Sequence, residues 1–139
     1  MKTKINNQAG FTLVELILVI AILGILAVAV APSFTNLLTS ASTTGGRGTA
    51  GAIQSGINTK YAENVANNTT PFWPATLDSA SNAACSTANP CFGTVVQPVT
   101  SGGWTRTSAT VYNYSNAGVA QTYTYDNATG KLSCTAGTC

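Results

Sequence analysis

Gly10-Phe11-Thr12-Leu13-Val14-Glu15-Leu16 opens an apolar run that continues to Pro32, and its reading decides what the rest of the chain is for. From Phe11 to Ala31 there are 21 residues, and Glu15 is the sole ionisable side chain among them. Wound as a helix at ~1.5 Å per residue, the run spans roughly 31 Å, about the hydrocarbon thickness of a bilayer. A carboxylate inside such a segment costs about 2.5–3.5 kcal/mol when central and less near an end. A sequence that keeps this cost has a partner or a function for the charge. No Lys, Arg or His lies between residues 5 and 46. Cleavage between Gly10 and Phe11 would supply a partner, because it creates an α-amine four residues before Glu15. That amine sits one helical turn from the carboxylate in its own chain, and a packed neighbour's amine can meet it instead. The lone acid then reads as an assembly contact.

Ahead of this run stands the leader MKTKINNQAG, which carries Lys2 and Lys4 and no acid. The leader, Gly10, Phe11, Glu15, the long apolar run and Pro32 together closely resemble the class III signal of type IV pilins and type II secretion pseudopilins. The resemblance covers residues 1 to about 35. It implies cleavage after Gly10 by a membrane prepilin peptidase, N-methylation of Phe11, and pairing of Glu15 with the Phe11 amine of a neighbouring subunit. It further implies a homo-oligomeric helical filament built from a membrane-held pool, with an inner-membrane assembly platform and minor pilins as partners. Gly24 and Pro32 stand where helices of this family loosen inside the filament. Beyond about residue 40 the likeness to a pilin globular head is loose. The Tyr-x-Tyr-Asp-x-x-Thr-Gly run at residues 123–130 is similar to the closing hairpin of many such heads.

These readings predict an α+β, pilin-like fold, with one long N-terminal helix packed on a small antiparallel sheet. The expected organisation is a cleaved leader at 1–10, a transmembrane and assembly helix at 11–32, the amphipathic half of the same helix at 33–67, and a head at 68–139. Lys2 and Lys4 keep the N-terminus in the cytoplasm by the positive-inside rule. The chain is then a single-pass inner-membrane protein before assembly and part of an extracellular pilus, or of a periplasmic pseudopilus, afterwards. A conventional secretory signal peptide competes, with Ala27-Val28-Ala29 imitating its cleavage box. Against it, the apolar run exceeds the usual ~7–15 residues and carries an acid inside. A plain membrane anchor that is never cut is the other alternative.

Past Pro32, which bends a helix without necessarily ending it, Phe34, Leu37, Leu38, Ala41, Ile53, Ile57, Tyr61 and Val65 recur at three- or four-residue steps. That is the pattern of an amphipathic helix. Thr43-Thr44-Gly45-Gly46-Arg47-Gly48, with Gly51 and Gly56, weakens it, since each Gly costs roughly 1 kcal/mol relative to Ala. A break here would give two helices. The preferred reading is one helix from about Phe11 to about Asn67, its glycines permitting close packing on the head or on neighbours. Asn67, Asn68 and Pro71 stop it.

Residues 68–103 read as mainly irregular, with Pro71, Pro74, Pro90 and Pro98 as punctuation. Phe72-Trp73-Pro74 is expected to plug the junction of helix and sheet, with an adhesive patch as the alternative. Thr94-Val95-Val96 is a short-strand candidate. Trp104 to Tyr114 is dense in Thr, Val and aromatics. Turns are expected at Ser115–Gly118 and Asp126–Gly130. Val119 to Tyr125 alternates, with Val119, Tyr123 and Tyr125 on one face and Ala120, Thr122 and Thr124 on the other. A last short strand follows at Lys131–Cys134, giving a sheet of three or four strands.

Charged residues are 7% of the chain, and once Lys2 and Lys4 are set aside four bases face four acids. Nothing here makes a general nucleic-acid patch. Four cysteines at 85, 91, 134 and 139 behind an export signal read as two disulfides. Three pairings are open; Cys85–Cys91 and Cys134–Cys139 are favoured because short loops close most easily. The spacings, without any His, form no usual zinc set. With no His there is no base for a Ser or Cys nucleophile. No glycine loop has phosphate-binding form. Asp126 and Asn127 alone are too few oxygen ligands for calcium. No enzyme, cofactor or metal is expected. The reading is a structural filament subunit with adhesion, motility or DNA uptake as roles. A type II secretion pseudopilin is the near alternative, and a secreted or anchored binding module the alternative of another class.

Overall fold

The structure is a computed structural model and describes residues 10–139. The leader positions Lys2 and Lys4 lie outside the described residues. The chain has one helix, α1 (Leu13–Ala66), followed by β1 (Trp104–Arg106), β2 (Val111–Asn116), β3 (Val119–Asp126) and β4 (Lys131–Gly137). This is the expected α+β, pilin-like arrangement. The residues fall into two compact units divided between Leu37 and Leu38.

In the first unit the helix starts where its chemistry allows. Thr12 precedes the first helical residue, and its hydroxyl accepts the Glu15 backbone N–H at 3.2 Å. Thr12 is thus the N-cap, and Glu15 lies in the first turn, where a negative charge suits the helix dipole. The helix runs unbroken through Gly24 and Pro32. At Pro32 one backbone donor is missing, and the Thr35 hydroxyl donates to the Pro32 carbonyl at 2.8 Å.

In the second unit, residues 38–66 of the same helix hold together despite their glycines. The end at Ala66 is a Schellman closure: Thr69 N–H donates to the Asn64 carbonyl and Asn68 N–H to that of Val65. Asn68 takes the left-handed conformation this closure needs, with φ 53°.

The four strands form an antiparallel sheet in the order β1-β2-β3-β4. Ala117 and Gly118, both at positive φ, make the tight turn between β2 and β3. The buried face carries Trp104, Tyr112, Tyr114, Val119, Tyr123 and Tyr125. Ile53 and Ile57 of α1 pack in the same core with Leu77 and Phe92. Each such aliphatic side chain contributes about 1.5–3 kcal/mol by leaving water. The aromatic rings meet at offset angles; Phe92 and Tyr112 lie 4.3 Å apart and Trp104 and Tyr123 5.3 Å.

Several expectations need correction. Thr94-Val95-Val96 is a turn, not a strand: Val95 and Val96 both donate to the Phe92 carbonyl. Half-buried Val95 and Val96 cover Gly56 of the helix instead. The Trp104–Tyr114 stretch supplies two of the expected three or four strands, because Thr107 and Ser108 both donate back to Val111 and turn the chain between them. The last strand runs three residues beyond Cys134, to Gly137. Of the expected helical stripe, only Ile53 and Ile57 are buried, with Tyr61 half-buried; Phe34, Leu37, Leu38, Ala41 and Val65 are exposed. The seam that meets the head is Ser42, Gly46, Ala50, Ile53 and Ile57.

Gly46 is there for space. A Cβ at this position would overlap the Gln121 side-chain oxygen and lie 2.8 Å from the Tyr114 ring. Gly48 and Gly51 have nothing within 4 Å of the same atom. Gly46→Val is therefore expected to destabilise the head by about 1–3 kcal/mol through overpacking. Gly51→Ala should be neutral or stabilise it by up to ~1 kcal/mol. Urea unfolding of the full chain in detergent micelles, followed by tryptophan fluorescence, reads both. Equal effects of the two substitutions would show that helix propensity and not the packing seam decides.

Candidate functional site

The Gly10–Phe11 bond lies ahead of the first helical turn, in chain without regular structure. A Cβ on Gly10 would meet nothing within 4 Å, and Phe11 is 88% exposed. The bond is thus exposed and outside α1. Glu15, four residues on, is exposed. Its backbone is engaged by Thr12, but its carboxylate has no hydrogen bond or ion pair among the described residues. The helix beyond it includes an 18-residue stretch long and apolar enough to cross a membrane, none of it buried in the structure. Leu13, Val14, Ile25 and Val28 are each more than 70% exposed. An apolar surface this continuous needs lipid or other apolar helices around it.

The head offers little reactive chemistry. The described residues enclose no pocket and bring together no metal-holding group of His, Cys, Asp and Glu. Its one buried carboxylate, Asp78, is a structural hub. Asp78 accepts from the Ala80 N–H at 3.2 Å, the Phe92 N–H at 2.9 Å and the Tyr112 hydroxyl at 3.0 Å. Arg106 Nε stands 3.0 Å from Asp78 Oδ1. The contact is an ion pair without an aligned N–H bond. The Arg106 guanidinium also donates to Asn82 at 2.7 Å. Asp126 caps its own turn, accepting from the Ala128 N–H at 2.9 Å and the Thr129 hydroxyl at 2.7 Å. The Thr129 hydroxyl, then the Ala128 N–H, hold this exposed carboxyl below its ordinary value.

Trp73 sits between Tyr61 and the β3–β4 turn: its ring stacks on Tyr61 at 4.0 Å, and Gly130 leaves room for the other side. The Tyr125 hydroxyl donates to the Pro74 carbonyl at 2.7 Å. Phe72-Trp73-Pro74 thus closes the junction of helix and sheet. The cysteines pair as Cys85–Cys91 and Cys134–Cys139. Cys85 and Cys91 are buried in the core, whereas Cys139 is exposed.

Burial, first of all, raises the phenol pKa of Tyr112, Tyr123 and Tyr125 above the usual 10.0. For Tyr112 the charge of Asp78 and the hydrogen bond to it add to the effect, while Arg106 opposes it. The folded state therefore keeps protons that the unfolded chain gives up above the usual phenol pKa. Stability is full below that value and falls as pH rises beyond it. Absorbance at 295 nm should show these three tyrosines ionising together with the loss of sheet signal in circular dichroism. A complete titration near the ordinary phenol pKa with the fold intact would refute this.

Ser42, Asp78, Arg106 and Gln121 carry no sequence pattern that marks them, whereas Gly46 and Gly56 are the helix glycines whose close packing on the head is expected from the sequence. The sequence signal available was weak: Asp78 is one of two Asp and Arg106 one of two Arg, with no charged neighbour to pair them in sequence.

Residues 5–31 match the family described as the prokaryotic N-terminal methylation motif. The chain thus carries, at its N-terminal end, the class III signal seen in the sequence. Comparison with curated proteins and with solved structures found no match.

Proposed function

From a chain that carries the class III signal of type IV pilins and pseudopilins at residues 5–31, we propose the structural subunit of a type IV pilus. Such a signal implies processing by a prepilin peptidase and filament assembly in general. In this reading cleavage falls between Gly10 and Phe11, and the Phe11 amine is methylated. The processed subunit waits in the inner membrane, held by its apolar helix, and assembles through that helix. The observation that carries the proposal is the Glu15 carboxylate, without a partner among the described residues, on the exposed apolar stretch that begins α1. A neighbour's Phe11 amine satisfies that charge and sets the register between subunits. The apolar faces of many helices then replace lipid by burying one another, with Gly24 and Pro32 as the points where the helix yields. The heads form the outer sheath, kept wet by hydroxyls and amides.

Two disulfide-stapled loops and a neutral, Thr-rich head suit a fibre exposed outside the cell, which favours the surface pilus over a periplasmic pseudopilus. Intact mass spectrometry of the sheared surface fraction of the native cells tests this. The expected species begins at methylated Phe11 and is lighter by the four hydrogens of two disulfides. The same species confined to the membrane fraction would assign the chain to a pseudopilus or a minor subunit. A chain beginning near Val30 would mean a conventional signal peptide and defeat the filament reading.

A further inference from the structure

The two disulfides differ in exposure and in what they hold. Cys85–Cys91 lies in the core, with Cys91 fully buried. Cys134–Cys139 closes a short ring at the end of β4, with Cys134 half-buried and Cys139 exposed. The ring brings residues 138 and 139 back to two elements. The Thr138 N–H donates to the Ala120 carbonyl at 3.0 Å. The Thr138 carbonyl accepts from Nε2 of the buried Gln121 at 2.9 Å. The Cys139 carbonyl accepts from the Arg47 guanidinium of α1. Gln121 is in turn the side chain against which Gly46 packs, and its Oε1 accepts from the Tyr123 hydroxyl at 3.0 Å. Further along the same seam, Gln54 donates to the Gly130 carbonyl at 2.9 Å and accepts from the Leu132 N–H at 2.7 Å. One side of the helix, at Arg47 and Gln54, therefore lies along the outer edge of β4 and its tail.

We propose that the Cys134–Cys139 ring is a thiol-labile clasp that holds residues 138–139 against Arg47 and Gln121, and so fixes how the helix lies on the sheet. The proposal does not depend on the filament reading. The step that opens it is exchange with a dithiol. One thiolate of the reagent attacks the sulfur of Cys139, the exposed residue of the pair, the Cys134–Cys139 bond breaks, and the Cys134 sulfur leaves and takes up a proton. The reagent's second thiol then displaces the Cys139 thiol from the mixed disulfide. The dithiol ends as a disulfide, and the protein gains two hydrogens. Once open, the tail is free to leave Arg47, and the buried Gln121 amide loses its acceptor, which a buried donor does not tolerate well. Solvent then enters beside Gly46.

The test uses the full chain in detergent micelles, titrated with dithiothreitol, trapped with iodoacetamide and followed by hydrogen-exchange mass spectrometry. Cys134 and Cys139 should be alkylated first, with Cys85–Cys91 intact. In that species, peptides covering 44–56 and 119–126 should exchange about threefold faster or more, as well as the tail itself. Faster exchange confined to 131–139 would make the ring a local staple and overturn the proposal, as would reduction of both disulfides together. In the oxidised protein, Arg47→Ala should speed exchange of the tail peptide and Arg47→Lys should largely restore it. An unchanged tail in Arg47→Ala would also overturn the clasp.

Discussion

Glu15→Ala is expected to leave cleavage at Gly10–Phe11 intact and to lower the yield of sheared filaments at least tenfold, roughly 1.4 kcal/mol or more of lost assembly energy per contact. The size follows from where the charge sits. An amine and a carboxylate ~4 Å apart attract by about 4 kcal/mol at the effective dielectric of a protein surface. Among packed apolar helices no water competes for either partner. Alanine also removes the cost of a carboxylate in lipid, which near the helix end is less than the ~2.5–3.5 kcal/mol of a central position, so the variant is held more firmly in the membrane pool. The helix start itself survives, because Thr12 caps the Glu15 backbone N–H, which alanine retains. Glu15→Gln separates charge from shape, and should assemble nearly as poorly as alanine. Filament counts by electron microscopy, with processing checked by mass, read both. Normal fibre yield from Glu15→Ala would falsify the pairing.

The second large effect is in the head. Asp78→Ala should destabilise it by about 3–5 kcal/mol, the range for removing one partner of a buried ion pair. Against a total of ~5–15 kcal/mol for a typical domain, this is enough to unfold a marginal one. The Asp78 side chain is 1% exposed and that of Arg106 12%, so the stranded guanidinium cannot rehydrate fully. The variant also strands the Phe92 N–H and the Tyr112 hydroxyl. Pairing the substitution with Arg106→Leu should recover part of the loss, because the uncompensated charge goes too. Thermal unfolding in micelles, followed by the fluorescence of core Trp104, measures this. The exposed Lys60–Glu63 pair at 3.0 Å makes a control, since Glu63→Ala should cost only ~0–1 kcal/mol. A similar cost for both substitutions would mean that Asp78 is no hub.

The alternation of Val119, Tyr123 and Tyr125 against Ala120, Thr122 and Thr124 could be read in sequence because a strand repeats every two residues. Its buried and exposed positions in β3 follow that alternation. The helix stripe meets the head only at Ile53, Ile57 and half-buried Tyr61, because apolar residues mark any surface that leaves water, whatever covers it. Phe34, Leu37 and Leu38 keep the helical period yet are exposed in the single chain. Ser42 and Gly46, neither strongly apolar, meet the head through a hydrogen bond to the Asn116 carbonyl and through sheer proximity.

By itself the sequence determined the long apolar helix, the lone acid near its start, the class III signal and the strand-rich tail. All of these are written in local spacing and composition. The tertiary structure alone decided which glycine is a contact, that Asp78 meets Arg106 across 28 positions, and that the tail returns to Arg47. Such pairings are set by how the chain folds back on itself, and no short-range pattern encodes the partner of a single polar side chain.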